Sequence, residues 1–426
     1  MSEFLAEEKF LREMFDAAVA AAMPSEIVPG NLPLPPKGRT VIVGAGKASA
    51  AMAQALERHW NGPVSGLVIT RYGHAVACEN IEIVEASHPV PDQTGQEAAK
   101  RILELAGGLG PDDLMIALIS GGGSSLLSLP PFGIKFTDKQ AVNQALLLSG
   151  KPIDEMNILR KHLSQIKGGR LAACAYPAKT HALLISDVPG DDPAVIASGP
   201  TIGDTSTLQD AQRIFADLTG DFSPEISRAL IDPMNETPKP DDARLALSVA
   251  HIIAAPALSL NAGAEFARKA GVTPVLLGDD LEGEARELGC EMAVRAKAEI
   301  GGQSPIVLIS GGETTVTLKP DNQGRGGRNV EFLMGFAQEL GDAEGIFALA
   351  CDTDGVDGVE EIAGALVTPH TRKRAADLGY PLEQALAAHD GHGFFERLKD
   401  QVITGPTLTN VNDFRAILVG RLSPAR

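Results

Sequence analysis

Short apolar runs alternate with amphipathic stretches along most of the chain. "TVIVG" is a β-branched run followed by "KASAAMAQALERHW", which has helical spacing. "VSGLVIT" and "IEIVEAS" predict two more strands, and "TGQEAAKRILELAGG" predicts a helix closed by glycine. "LMIALIS" and "HALLISD" continue the series. Strands that are apolar throughout, rather than at every second position, are buried on both faces. With helices between them they predict a parallel sheet covered on two sides. Ahead of this series, "MSEFLAEEKFLREMFDAAVAAAMP" reads as an amphipathic first helix, and the proline-rich "PSEIVPGNLPLPPKGR" cannot continue it. Between about Leu208 and Asp242 the strand signals lapse, which suggests a boundary or an excursion. Alternation then resumes with "HIIAAP", "AGAEFARKAG", "TPVLLG", "EGEARELGCEMAVRAKAEI", "PIVLIS" and "IFALA". The pattern predicts an α/β fold of two α/β domains with mainly parallel sheets, residues 1–240 and 241–426. Whether the chain crosses between them more than once is left open.

Composition narrows this picture. At 426 residues the chain exceeds one ordinary core, and 44% hydrophobic with 22% charged residues supports extensive burial. The net charge of -18 argues against nucleic-acid partners, which need a basic face. It also means that any anionic ligand requires cations gathered locally against the global field. Cys78, Cys174, Cys290 and Cys351 form no CxxC pair or Cys/His cluster, so reduced, mostly buried thiols in a cytoplasmic protein are expected. The acidic N-terminus has no basic segment before an apolar run, and no run approaches the roughly 20 apolar residues that span a bilayer. No membrane partner is expected; a homo-oligomer is compatible with the pattern.

In open parallel sheets, ligands bind beyond the carboxyl ends of the strands. Five glycine- or aspartate-rich loops stand at such ends: 44–49, 121–125, 187–192, 311–315 and 352–358. "VIVGAGKAS" misses two familiar nucleotide patterns. The first glycine of a Walker loop would fall within the strand, and Lys47 is followed by Ala48. A dinucleotide fingerprint needs a third glycine where Ser49 stands, and an acid after the next strand, where "VITRYG" offers Arg71. What survives is physical: Gly44 and Gly46 permit close backbone approach, a helix starts with free N–H groups, and Lys47 adds a full charge. That combination suits phosphate.

"SGGGSS", comprising Ser120, Gly121, Gly122, Gly123, Ser124 and Ser125, has the composition of an anion nest, although a flexible turn has it too. Gly311 and Gly312 repeat the device after "PIVLIS". "NILRKHLSQIKGGRLA" gathers Arg160, Lys161, Lys167 and Arg170 with no acid among them. Read as a helix, it puts Arg160, Ser164 and Lys167 on one face. The ordinary reading of such a face is solvated surface; on so acidic a chain it is instead a candidate anion site. Asp187 directly follows a strand, with Asp191 and Asp192 beyond a Pro-Gly turn. Carboxylates so placed hold Mg²⁺ or take a proton from a hydroxyl. "CDTDGVDG" spaces Asp352, Asp354 and Asp357 similarly, without the full calcium-loop pattern. "GRGGRN" sets Arg325 and Arg328 at a helix start, where arginine suits bidentate contact with carboxylate or phosphate and Asn329 is a candidate cap.

Taken in order, "GAGKAS", "SHPVPD", "SGGGSSLL", "ILRKHLSQIKGGRLA", "ISDVPGDD", "IASGPT", "SGGET", "GRGGRN", "DTDGVDG" and "TGPTLTNVND" resemble the glycerate 2-kinase family, whose C-terminal part is called the MOFRL domain. The likeness runs from about Lys47 to Asp413, and departs from the family only slightly at Leu408, where glycine is common. It implies an ATP- and Mg²⁺-dependent enzyme that phosphorylates D-glycerate on its 2-hydroxyl. It also implies a Rossmann-like N-terminal domain and an active site in the cleft between the domains. By motif it assigns catalysis to Lys47, Asp187 and Arg328, with Arg325 as the competing arginine. Joined to the residue-level reading, it places nucleotide phosphates on Gly44, Gly46, residues 120–125, Gly311 and Gly312. Substrate falls to Arg160, Lys167 and His88, and metal to Asp187, Asp192 and Asp354. Relatives often bear a hydroxypyruvate reductase label, so an NAD(P)H-dependent reductase is the alternative, and a non-catalytic nucleotide or sugar-acid sensor the third reading.

Overall fold

In the computed structural model, which describes residues 4–302, 304–318 and 324–422, the chain divides into two compact units. One is Pro24–Ala254; the other joins Met1–Met23 to Ala255–Arg426.

The first unit is built on β1 (Thr40–Ala45), β2 (Val64–Arg71), β3 (Ile81–Ala86), β4 (Leu114–Ile119), β5 (Lys179–Ile185) and β6 (Ser248–Ala254). Their order is β3-β2-β1-β4-β5-β6, with every pair parallel. β1 and β4 are buried at every position, as their unbroken apolar runs require. Val41, Val43 and Ala45 join Leu67, Ile69, Met115 and Ala117 in a core that includes Ala98 and Ile102 of the helix Gln93–Gly107. The helix Ser49–His59 packs on the same strands through Met52, Ala53 and Leu56, outside that core, so both faces are covered. The chain order reverses between β1 and β4. In doubly wound sheets this switch point is where a crevice opens.

The irregular stretch after Leu208 is an excursion within this unit. The helices Leu208–Ala216 and Pro224–Ile231 pack with Phe136–Leu148 and Ile153–His162 around Val142, Leu146, Leu159, Ile214 and Ile226. Thr207 and Asp210 form a reciprocal capping box at the start of Leu208–Ala216. β6 lies beyond residue 240 and completes the sheet past the expected division.

The second unit contains β7 (Thr273–Leu276), β8 (Gly283–Glu284), β9 (Ile306–Ser310), β10 (Thr314–Thr315), β11 (Ile346–Asp352), β12 (Gly364–Val367), β13 (Gln401–Val402) and β14 (Asp413–Val419). Its main sheet runs β13-β12-β11-β14-β9-β7, and β8 and β10 form a separate pair. In the main sheet the expectation of parallel pairing is corrected: among its described strands only β7 and β9 are parallel, and the other neighbours are antiparallel. Unbroken apolar strands report coverage on both faces, not direction. In β11, Ile346, Ala348 and Ala350 face a core shared with the helices Ala285–Ala298 and Arg328–Leu340. Phe347, Leu349 and Cys351 face another, shared with Leu5–Ala20 and Pro256–Lys269. The N-terminal helix therefore belongs to the C-terminal unit, burying Phe10, Leu11, Met14 and Phe15. Residues 1–3 of the predicted helix lie outside the described residues. All four cysteines are free, but only Cys351 is fully buried. Among the described residues, no helix is long and apolar enough to cross a membrane.

Candidate active site

Three neighbouring strands, β1, β4 and β5, deliver Lys47, the loop Ser120–Ser125 and Asp187 to one end of the first sheet. Adjacent strands stand about 4.8 Å apart, so the three loops are within a small molecule's reach of one another. The Lys47 N–H donates to Gly121 O at 2.8 Å and the Ala48 N–H to Ser120 Oγ at 3.0 Å. Ser49 Oγ lies 3.1 Å from Ser120 Oγ, and its N–H donates to Gly46 O. The turn that leads into the helix Ser49–His59 thus gives its N–H groups to acceptors of the protein itself. A Cβ on Gly44 would lie 2.2 Å from Leu118 O, and one on Gly46 2.1 Å from Ser120 Oγ. The approach of two strand ends accounts for both glycines without a phosphate.

Gly122 has φ 81°, and a Cβ there would come within 2.9 Å of the His88 ring and 3.5 Å of Lys47 Cγ. Lys47 and His88 consequently flank the middle of the glycine loop. Burial, then the positive charges of Lys47 and Arg71, hold the His88 imidazole down at about 3. His74, whose Nδ1 is 3.4 Å from Lys47 O, is lowered to about 4 mainly by burial. Both rings are neutral near pH 7, and the charge here is that of the ammonium and guanidinium groups.

A cavity of about 200 Å³ opens beside this loop, with His88, Ser124, Lys139, Asn143, Arg160 and Lys167 in its wall. The helix expected to run through the basic segment stops at His162 and a new one begins at Arg170. The intervening turn carries Lys167 inward, where its fully buried ammonium donates to Leu127 O at 3.0 Å and to Ser124 O. Lys161 pairs instead with Asp204 at 3.2 Å, and Arg170 holds the carbonyls of Lys161 and Asn235. Of the four cations, Arg160 and Lys167 reach the cavity, so the segment is not a solvated face. Burial lowers both, with Lys139 and Arg160 adding to the effect on Lys167.

A polar chain backs this wall. Ser124 Oγ lies 2.8 Å from Ser198 Oγ, which donates to Asn157 Oδ1 at 3.1 Å; Arg160 donates to the same oxygen at 3.4 Å. Ala197 and Ser198 have φ 52° and 60°, a left-handed conformation that side-chain-bearing residues hold only where the surroundings impose it.

The acids are less concentrated than expected. Asp187 is half-buried at the end of β5, while Asp192 Oδ1 accepts the Ala194 N–H at 2.8 Å. Asp354, in the second unit, accepts the Val356 N–H at 2.8 Å. Among the described residues, no three His, Cys, Asp or Glu side chains are grouped to hold a metal ion. Asp187 and Asp192 belong to the first unit and Asp354 to the second.

In the second unit, Arg328 donates to Asp413 Oδ1 at 3.1 Å, Asp352 Oδ2 at 3.0 Å, and Glu313. Burial opposes its charge, but Asp413, Asp352 and Glu313 outweigh burial and hold it protonated well above the usual range. Arg325 is exposed and forks onto both oxygens of Glu360. Arg415, fully buried, bonds Asp413 and the carbonyls of Gly311 and Gly312. A Cβ on Gly312 would sit 2.3 Å from Leu281 O, so this glycine serves packing. Asp357 caps the helix Arg328–Leu340 through the N–H groups of Asn329 and Val330, each at 3.0 Å. Asn329, the predicted cap, instead donates to Asp413 at 2.9 Å. Lys139, Asn157, Ser198, Asp413 and Arg415 were not singled out from the sequence. A lysine or asparagine bears no mark of burial until its helix face is known.

Comparison with known proteins adds the following. Residues 10–231 match the model of a domain of unknown function (DUF4147), and residues 306–413 match the MOFRL family. An Agrobacterium vitis protein bearing a provisional hydroxypyruvate reductase name is 55% identical, over 96% of this chain and 94% of its own. The D-glycerate 2-kinase of Thermotoga maritima is 37% identical, over 95% of this chain and 97% of its own. A crystal structure of glycerate kinase from Thermotoga maritima superposes with a TM-score of 0.87 at 36% identity, covering 97% of this chain and 99% of that one.

Proposed function

The chain belongs to the glycerate 2-kinase family, and from this premise we propose that it transfers the terminal phosphoryl group of ATP to the 2-hydroxyl of D-glycerate. The observation that carries this reading is the meeting of Lys47, the 120–125 loop and Asp187 on three adjacent strand ends beside a cationic cavity. Phosphoryl transfer asks a protein chiefly for positioning and charge stabilisation. Lys47, next to Gly122, offsets the charge of the phosphoryl group in transit. The 120–125 loop holds its oxygens, and Asp187 accepts the proton of the attacking hydroxyl. Arg160 and Lys167 hold the acid, and neutral His88 orients a hydroxyl. Mg²⁺, when bound with ATP, would neutralise part of the phosphate charge. It keeps waters and needs only one or two protein carboxylates. Asp187 with Asp192 fits that requirement without a larger acidic cage. Arg328 is already matched by three carboxylates, so we assign it to ordering the 311–313 and 352–354 loops, not to the phosphoryl group. A cytoplasmic setting, where ATP is supplied, is part of this reading.

The reductase reading is favoured by the name of the Agrobacterium relative. Against it, the N–H groups of Lys47, Ala48 and Ser49, in the turn where a dinucleotide pyrophosphate would sit, are taken by Gly121, Ser120 and Gly46. Phosphorus NMR of protein, D-glycerate, ATP and Mg²⁺ tests the proposal. The expected product is 2-phosphoglycerate, with no oxidation of NADH by hydroxypyruvate in a parallel cuvette. NADH consumption without a phosphate ester would reverse the conclusion.

A further inference from the structure

We propose that Lys139 is a specificity-determining residue that anchors the carboxylate of the acid substrate in the cavity, together with Lys167 and Arg160. This rests on the kinase reading above and extends it to a residue that no motif identifies. Lys139 lies on the helix Phe136–Leu148, whose buried stripe is Lys139, Val142 and Leu146. It occupies the first position of a stripe that helical periodicity would fill with an apolar residue. The neighbouring stripe, Gln140, Asn143, Gln144 and Leu147, lines the cavity, so the helix turns amides and one ammonium toward the same space.

The ammonium has three donors, and the structure accounts for one of them, to the Leu163 carbonyl beyond the helix Ile153–His162. Among the described residues, no carboxylate pairs with Lys139, Lys167 or Arg160. Burying cations without counter-charges is costly, and proteins retain them where an anion completes the site. The three also raise one another's cost. Burial, then Arg160 and Arg170, lowers Lys139 to about 7, and Lys139 in turn lowers Lys167. An anion entering the cavity relieves all of these terms together.

Size and chemistry favour the acid over the nucleotide as that anion. A volume of about 200 Å³ is below the roughly 300–1,000 Å³ of pockets that enclose larger ligands, and suits a three-carbon hydroxy acid. The amides of Gln140, Asn143 and Gln144 offer donors and acceptors to its hydroxyls. A purely structural Lys139 would be poorly chosen, because an apolar residue of similar length fills the stripe with no charge to desolvate.

Lys139→Met retains the stem and removes the charge. Loss of a charge-assisted contact predicts a rise of about 10- to 100-fold in KM for D-glycerate, a smaller fall in kcat, and KM for ATP within twofold of the parent. Lys139→Arg is expected to recover most of the lost affinity. D-glyceramide, the uncharged amide, is expected to inhibit parent and variant with equal constants, whereas a general distortion would weaken both ligands. If Lys139→Met does not fold, Lys139→Gln carries the same comparison while retaining a donor for Leu163. Should the parent make 2-phosphoglycerate and the variant keep its KM for D-glycerate within twofold, or lose affinity for ATP instead, the Lys139 assignment is overturned and the kinase reading stands. If the parent makes no phosphate ester, the kinase reading itself falls.

Discussion

Lys47 illustrates how one residue's meaning depends on its neighbours. Its backbone is tied to the second loop by the 2.8 Å bond to Gly121 O, so the ammonium starts from a fixed point beside Gly122. Lys47→Ala is expected to lower kcat by about 10²–10³, the usual loss when one preorganised charge stabiliser is removed. The melting temperature should stay near the parent's; a kcat within a few-fold of the parent would remove Lys47 from the chemistry. This residue was legible in the chain, because a lysine after a strand and two glycines is an uncommon juxtaposition. Lys139 was not. In "FTDKQAVNQ" it looks like any solvated lysine, and only the partner helices show that its face is buried. Arg328 was legible as a cation at a helix start, but its three carboxylate partners come from Glu313, Asp352 and Asp413, far apart in the chain.

Among elements, the helix Arg328–Leu340 shows a terminus held by a carboxylate that the fold makes difficult to ionise. Asp357 accepts two helix N–H groups, yet burial and the nearby Asp413 push its carboxyl up to about 7. A free aspartate titrates near 3.9. Between about pH 4 and 7 the folded state therefore holds a proton that the unfolded chain releases. The stability this adds is complete below about pH 4 and is lost as pH rises through 7. Asp357→Asn is expected to reduce the drop in unfolding free energy from pH 5 to pH 8, measured by urea denaturation. An unchanged slope would show that Asp357 does not titrate in that window. At this scale, element existence was mostly legible, since apolar runs and helical spacing are local. Direction in the second sheet was not, because hydrogen-bond pairing of β11 with β14 joins residues 61 to 73 positions apart. The break at Leu163 was also hidden, because the turn is held by Ser164 and by the carbonyls that Lys167 reaches.

For the molecule as a whole, the chain leaves the second of its two units after a single helix and returns to it after residue 254. Leu11 is fully buried in the core of that unit with Phe347 and Leu418. Leu11→Ala should cost about 2–5 kcal/mol, as removal of a core leucine typically does. Calorimetry is expected to show the loss in one of two transitions, with the Pro24–Ala254 transition unmoved; equal shifts in both would mean that the units do not melt separately. The helix itself was readable at its first glance of periodicity, but its allegiance was not, because nothing local distinguishes which sheet an amphipathic helix will cover.

That arrangement has a consequence for biosynthesis. The strand β14 lies in the middle of the second sheet, between β11 and β9, and follows the helix Leu5–Ala20 by nearly 400 residues. At about 5–20 residues per second, the helix Leu5–Ala20 emerges roughly 20–80 s before the surface that receives it is complete. For that interval Phe10, Leu11, Met14 and Phe15 have no home. The nascent polypeptide therefore carries an apolar helix face through the synthesis of the whole Pro24–Ala254 unit before its own sheet is complete.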